Sequence, residues 1–212
     1  KSSDKKKLKY INKVKLYKVD FNKSRSLRKV FSMIKPNLVI NCIGVVKQVL
    51  NNNMNSEIIR VNSFLPHYLS ELVNENNEIR FIHFSTDCVF SGLKGRYLES
   101  DVTDAKDIYG VSKMLGEVDK SNTLTLRTSI IGQELKTNYS LLNWFLSQKK
   151  QIKGYKNAIF SGLTAPEIAR VIHNYVIPNK KIRGICHLSG KPISKYDLLY
   201  ISLAQQGPAA FP

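Results

Sequence analysis

The chain has 212 residues, 42% hydrophobic and 23% charged, which suits one folded domain with at most a small appendage and excludes a disordered chain. No run approaches the roughly 18 apolar residues of a membrane-spanning helix, and the start "KSSDKKKLKYINKVK" lacks the apolar stretch of a secretory signal. A net charge of +17, with eight lysines among the first 18 residues, favours anionic partners; few aromatics interleave with those lysines and no nucleic-acid-binding motif occurs, so a solvated surface is the simpler reading.

Residues 1–13 are polar and lysine-rich, and "KLYKVDF" (15–21) alternates in the manner of a short strand. "SRSLRKVFSMI" sets Leu27, Val30, Phe31 and Ile34 at helical spacing, and Pro36 ends that helix. "NLVINCIG" (37–44) is a short apolar run closed by Gly, which predicts a strand buried on both faces in a parallel sheet. Residues 56–73 predict an amphipathic helix with a kink near Pro66, and "IRFIHFST" (79–86) a second buried strand. A long loop rich in Gly, Ser and Asp leads to the helix "IYGVSKMLGEVDK" and the strand "LTLRTSIIG" (124–132). Strand, helix, strand, loop, helix, strand is the α/β alternation, which parallel strands with crossover helices satisfy most simply.

Beyond Gly132 the texture changes. "SLLNWFLSQ" reads as a helix in which Trp144 and Phe145 are anchors. "TAPEIARVIHNYVI" opens on a capping box from Thr164 to Glu167 with Pro166 in its first turn. "GICHLSG" (184–190) predicts a strand, "SKYDLLYISLAQ" a helix capped near Ser194 and Asp197, and "GPAAFP" a ragged end. Such a tail forms a smaller lobe at the C-terminal edge of the sheet, where ligands bind in open α/β folds.

Three cysteines, Cys42, Cys88 and Cys186, lie far apart with no metal-ligand spacing, so neither a disulfide framework nor a zinc site is indicated and the thiols point to a reducing cytoplasm. His67, His83, His173 and His187 are dispersed and read as packed or surface residues. Cys88 reads as a small buried residue.

The pair that carries chemistry is Tyr109 and Lys113 in "DIYGVSKMLGE", four residues apart on one helix face. An ammonium beside a phenol favours the phenolate, lowers the pKa and lets the tyrosine exchange a proton with a carbonyl or alcohol oxygen near neutral pH. Alone the pattern is weak, since many surface helices carry it. Ser85 and Thr86 strengthen it: they end a buried strand 23 residues earlier and can orient the same oxygen.

"STDCVFSG", then "YGVSK", then "LRTSIIG", in this order and spacing, resemble the extended short-chain dehydrogenase/reductase family, in particular its dTDP-4-dehydrorhamnose reductase-like branch, over residues 19–204. The resemblance implies a Rossmann-like parallel sheet flanked by helices within residues 1–132, a partial NAD(P)-binding domain. Residues 133–212 would then be mainly a small α/β substrate lobe interleaved with the sheet. It implies NADP or NAD as cofactor and a nucleotide-linked 4-keto sugar as substrate, in the supply of precursors for cell-surface polysaccharide. Thr86, Tyr109 and Lys113 match the catalytic set: Tyr109 the proton donor, Lys113 its partner cation and ribose ligand, Thr86 the hydroxyl on the reacting oxygen. Asp20 in "VDF" resembles the acidic residue near the adenine, though it could equally cap the following helix. Asn41, Cys42, Ile43 and Gly44 resemble the segment along the cofactor ribose, Asn62 the helix residue on the lysine side, and Ser85 and Thr128 further cofactor contacts. Asp87, Ser129 and Ile130, with Thr86, fall on the substrate side. No metal is implied, and a homodimer is left open.

Two departures stand out. No GxxGxxG turn for a pyrophosphate occurs anywhere in the sequence, and the chain joins the pattern just before its third strand, as a fragment or truncated product lacking the first βαβ unit would. Cys88 and Ile130 stand where rhamnose reductases carry Tyr and Trp, which bears on the sugar more than on the chemistry. The alternatives are an epimerase or dehydratase of the same fold, or a non-catalytic nucleotide- or nucleic-acid-binding module derived from it.

Overall fold

The structure, a computed structural model, describes residues 14–21, 23–47, 55–75, 78–134, 140–148 and 151–204. The lysine-rich start and the "GPAAFP" end lie outside the described residues. The chain divides into two compact units, residues 1–37 and 38–212.

In the first unit, helix α1 (Ser24–Ile34) forms where the apolar spacing predicts it. Its last helical bond is Lys35 N–H to the Phe31 carbonyl; the left-handed φ of 49° at Lys35 then turns the chain out of the helix, and Pro36 follows. The strand expected over 15–21 does not form: none of the ladders includes these residues, and Leu16 and Tyr17 are 71% and 43% exposed. Alternation alone does not make a strand where no ladder takes up its N–H and C=O groups.

The second unit is built on a four-stranded, all-parallel sheet in the order β1-β2-β3-β7, from β1 (Leu38–Asn41), β2 (Arg80–Ser85), β3 (Thr123–Arg127) and β7 (Gly184–His187). β2 and β3 are buried almost throughout, as their apolar runs require. β1 is not buried on both faces: it lies at the sheet's edge and Ile40 is 40% exposed. Two short pairs stand outside the main sheet and leave no periodic signal at two residues per strand. One joins β4 (Ile130–Ile131) to β6 (Leu163–Thr164) in parallel, the other β5 (Ile159–Phe160) to β8 (Ile193–Ser194) antiparallel.

Because side chains alternate along a strand, the sheet sorts its residues between two faces. Ile82, Leu124 and Leu126 pack on Ile168, Ile172 and Val176 of helix α6 (Ala165–Val171) and the π-helical segment Ile172–Val176 that prolongs it. Thr164 caps α6 by accepting the Glu167 N–H at 3.3 Å. Arg80 satisfies the other end, donating to the Val176, Ile177 and Ile182 carbonyls. On the opposite face run a helix in three parts and helix α4 (Ile108–Leu115). The three-part helix has α2 (Asn55–Ile58), a π-helical stretch Ile59–Phe64 and α3 (Leu65–Asn74). The predicted irregularity near Pro66 is this π stretch: proline has no N–H for the Asn62 carbonyl four residues back, and Leu65 bonds Arg60 instead. Helix α5 (Leu141–Leu146) buries Phe145 and leaves Trp144 exposed, and helix α7 (Lys195–Ala204) starts on a Ser194–Asp197 cap. Among the described residues no helix is long and apolar enough to cross a membrane.

Ile82 is fully buried at the centre of the α6 face. Ile82→Ala is expected to lower unfolding stability by about 2–5 kcal/mol. Urea denaturation reads this directly, and a loss below about 1 kcal/mol would show that the α6 layer is not a packed core.

Candidate active site at the strand tips

Parallel register carries the C-terminal ends of β1, β2 and β3 to one edge: Asn41 pairs with His83, and Ser85 with Arg127. Beyond those ends come Cys42–Gly44, Thr86 and Thr128–Ser129. Helix α4 lies against the 3-10 turn Asp87–Val89 that follows Thr86 and against the Asn62 segment. Thr86, Tyr109 and Lys113 are thus brought to one edge although 26 residues lie between the first and the last.

Asp107 caps α4 by accepting the Tyr109 and Gly110 N–H groups, both at 3.1 Å. Thr86 Oγ1 donates to Asp87 Oδ1 and accepts the Cys88 N–H, both at 3.2 Å. Burial raises the Tyr109 pKa; the neighbouring Thr86 hydroxyl opposes this, and Cys88, Asp87 and Asp107 reinforce it. This reverses the lowering expected from a lysine one turn away. Lys113 is 5% exposed and donates its Nζ to the Phe84 carbonyl at 2.6 Å. Desolvation lowers the Lys113 pKa to about 8, with Glu117 pulling it back up. A neutral phenol beside a mostly charged ammonium results at neutral pH.

Asn62 is fully buried and spans three elements. Its Oδ1 accepts the Val45 N–H at 2.8 Å, and its Nδ2 donates to the Val45 carbonyl at 3.0 Å and to Ser112 Oγ at 3.1 Å. It thereby fixes the turn after β1 to the helix that carries Lys113. A Cβ on Gly44 would stand 3.5 Å from Asn62 Oδ1 and 3.9 Å from Lys113 Nζ, so the bare backbone of this turn lies over both groups. Asn41 shapes the same turn by accepting the Ile43 N–H at 3.1 Å. Its Nδ2 therefore faces His83 Nδ1 (3.1 Å) as donor, which places the ring hydrogen on Nε2, a buried atom with no partner. Burial first, then the charges of Lys113 and His67, lower the His83 pKa to about 3.

Ser85 turns its hydroxyl to Glu117 Oε1 at 2.8 Å. Thr128 is buried, its Oγ1 3.4 Å from the Ser129 carbonyl, which also accepts the Leu163 N–H at 3.0 Å. Asp87, Cys42, Ile43 and Ile130 are exposed along the edge, Ile130 at 55%. Cys88 is exposed, not buried as expected, because its turn lies on the surface. Enough of its thiol is desolvated, with Asp87 adding to the effect, that its pKa is raised and it is no ready nucleophile. Asp20 belongs to the other unit, where its carboxylate lies 3.9 Å from Lys23 Nζ; the N-cap of α1 is Lys23, without a side-chain cap bond. Sequence reading missed Ser112, Ser63, Glu117 and Arg127, whose only signal is polarity inside an apolar frame. Among the described residues no cluster of His, Cys, Asp and Glu could hold a metal ion.

The His83 ring sets a pH dependence. Its folded pKa of about 3 lies below the ordinary 6.5, so between those values the unfolded chain binds the proton first and stability falls as pH drops through the window. The slope from this group is at most about 1.4 kcal/mol per pH unit. His83→Gln, which keeps an acceptor for Asn41, is expected to flatten the urea midpoint between pH 6.5 and 4.5 relative to wild type; parallel profiles would sink the assignment.

Residues 2–204 match the RmlD substrate binding domain family. The dTDP-4-dehydrorhamnose reductase of Aggregatibacter actinomycetemcomitans is 30% identical over 182 residues, 79% of this chain and 62% of that protein. The chain therefore spans about six tenths of this curated relative's length. A hypothetical dTDP-4-dehydrorhamnose reductase from Sulfolobus tokodaii superposes with a TM-score of 0.76 at 23% identity, over 89% of this chain and 68% of that one. The dTDP-4-dehydrorhamnose reductase of Bacillus anthracis, solved in complex with NADP, gives 0.71 at 19%, over 89% and 68%. These likenesses identify the sheet and its helices as Rossmann-like, and the chain belongs to the RmlD substrate-binding domain family.

Proposed function

We propose that this protein is an NADP- or NAD-dependent reductase of a nucleotide-linked 4-keto (deoxy)sugar, acting in the cytoplasm in the supply of precursors for cell-surface polysaccharide. The observation that carries the proposal is the buried Lys113, bonded to the Phe84 carbonyl on the helix that also carries Tyr109, with Thr86 just past the tip of the same parallel strand. Family membership supports the substrate class. Residues 133–212 serve mainly as the lobe that receives the sugar, with β7 returned to the main sheet.

The residues present fit the nicotinamide-ribose half of such a cofactor. Bare backbone at Gly44 lies beside the Lys113 ammonium, which has N–H groups beyond its Phe84 bond to offer a ribose. Asn41 and Asn62 hold the Cys42–Gly44 turn in place for it, Ser85 secures the end of β2, and Thr128 borders the same edge. Asp20 is assigned to the adenine side. The pyrophosphate half has no Gly-rich turn in this sequence.

When bound, the cofactor supplies a hydride to the keto carbon. Tyr109, kept neutral by burial, gives its proton to the carbonyl oxygen that Thr86 orients. Lys113 stabilises the phenolate that remains and turns a donor to the ribose, while its bond to Phe84 fixes its reach. Asp87, Ser129 and Ile130 face the sugar. With Cys88 beside Asp87, this rim lacks the aromatic groups of rhamnose reductases and favours a different sugar shape.

The test is NADPH oxidation by the full natural chain with dTDP-linked 4-keto-6-deoxy sugars, products identified by mass spectrometry. One NADPH consumed per sugar is expected. Sugar interconversion without net consumption would replace the reductase by an epimerase, and binding without turnover would remove the enzyme reading. Tyr109→Phe is expected to cut kcat by about 10²–10⁴-fold and leave NADPH affinity nearly unchanged; full activity in that variant would overturn the mechanism.

A further inference from the structure

Immediately after α4 and at the last position of β3, Glu117 and Arg127 form an ion pair with side chains only 6% and 5% exposed. The contact is bidentate, Nε to Oε1 at 2.8 Å and Nη2 to Oε2 at 2.7 Å. Ser85, at the end of β2, donates to the same Oε1 at 2.8 Å. Arg127 reaches further. Its Nη1 lies 3.3 Å from the Glu99 carbonyl and 3.5 Å from His187 Nε2, and its guanidinium sits 5.0 Å from the centre of the Phe90 ring. One buried cation thus joins β3, β7, the segment after α4 and the long loop over residues 90–106. Neither residue enters the catalytic set.

We propose that Glu117 and Arg127 are positioning residues for the Tyr109–Lys113 pair: their buried ion pair fastens the end of α4 to the tips of β2 and β3 and holds Lys113 on the Phe84 carbonyl as a charged ammonium. The spacing supports this. Glu117 is one turn beyond Lys113, and Ser85 directly follows Phe84, so the carboxylate anchors both partners of the Lys113–Phe84 bond. The ionisable groups facing this place are Glu117 and Tyr109 on the α4 segment, His83 on β2 and Arg127 on β3, with His67 from α3 bonded to the Leu115 carbonyl at 2.8 Å. His83 stays neutral, and Glu117 raises the Lys113 pKa against burial. A pair serving stability alone would be replaceable by apolar side chains with no effect on Lys113.

The proposal rests on Lys113 having the role given above, but its test needs no turnover. The pH titration of the Lys113 ¹⁵Nζ resonance, assigned through Lys113→Arg, gives the ammonium's midpoint, and the Phe84 carbonyl carbon shift reports its hydrogen bond. Wild type is expected to titrate near pH 8. Glu117→Gln should move the midpoint down by about one pH unit and shift the Phe84 carbonyl resonance. Because that variant leaves Arg127 buried and unpaired, the double variant Glu117→Leu/Arg127→Met is measured beside it; replacing both charges by apolar groups preserves folding in such sites. It should show the same downward move. An unchanged Lys113 midpoint and Phe84 shift in either folded variant would overturn the proposal, while leaving the reductase assay untouched.

Discussion

The site depends on how closely α4 lies against the elements around it. A Cβ on Gly116 would stand 1.9 Å from the Asn62 carbonyl oxygen, and one on Gly110 would stand 2.4 Å from the Cys88 carbonyl. Backbone blocks both places, so any side chain there must push the helix away. Only with α4 this close can Asn62 reach Ser112, Ser63 Oγ donate to the Ser112 carbonyl at 2.8 Å, and Lys113 reach Phe84. A side chain at either glycine would therefore pull these contacts apart.

Around that contact the protein buries an unusual density of polar groups and satisfies nearly all of them. Asn41, Asn62, Ser112, Lys113, Glu117 and Arg127 each have named partners within hydrogen-bonding distance. In a low-dielectric interior each missing bond would be costly, so the network tolerates few alternative arrangements. His83 Nε2 is a buried donor with no partner, and burial together with the charges of Lys113 and His67 keeps its ring neutral. A second cation there would compete with the ammonium. Burial likewise raises the Tyr109 pKa and favours its neutral form.

How much of this the sequence could show follows from the range of each signal. Apolar runs for β2 and β3, helical spacing for α1, and the Thr164 and Ser194 caps are local patterns, and all are present in the structure. The strand over 15–21 failed because a ladder is not a local property. β1 has an open face because its place at the sheet's edge is a matter of strand order. Thr86, Tyr109 and Lys113 were legible because their spacing is tied to the strand–loop–helix unit between them. Glu117 and Arg127 were not: ten residues apart, they look like surface charges until the register of β3 turns Arg127 inward onto Glu117. The direction of the Tyr109 shift was misread for a related reason. A lysine four residues away predicts attraction, but the size of the desolvation depends on every element packed around the phenol.

These differences separate the site into two layers with different freedom to change. Tyr109 and Lys113 are tied to Thr86, Phe84 and the Asn62 and Glu117 networks, so an altered neighbour is felt through several bonds at once. Cys88 and Ile130 are exposed on the rim, where the Cys88 thiol lies 3.7 Å from Asp87 Oδ1 and Ile130 pairs with Leu163. A substitution at either rim position changes the surface offered to a ligand while leaving the Lys113–Phe84 and Glu117–Arg127 contacts in place. The buried contacts of Lys113, Glu117 and Arg127 can therefore stay constant while the rim varies, in keeping with one fold carrying different sites.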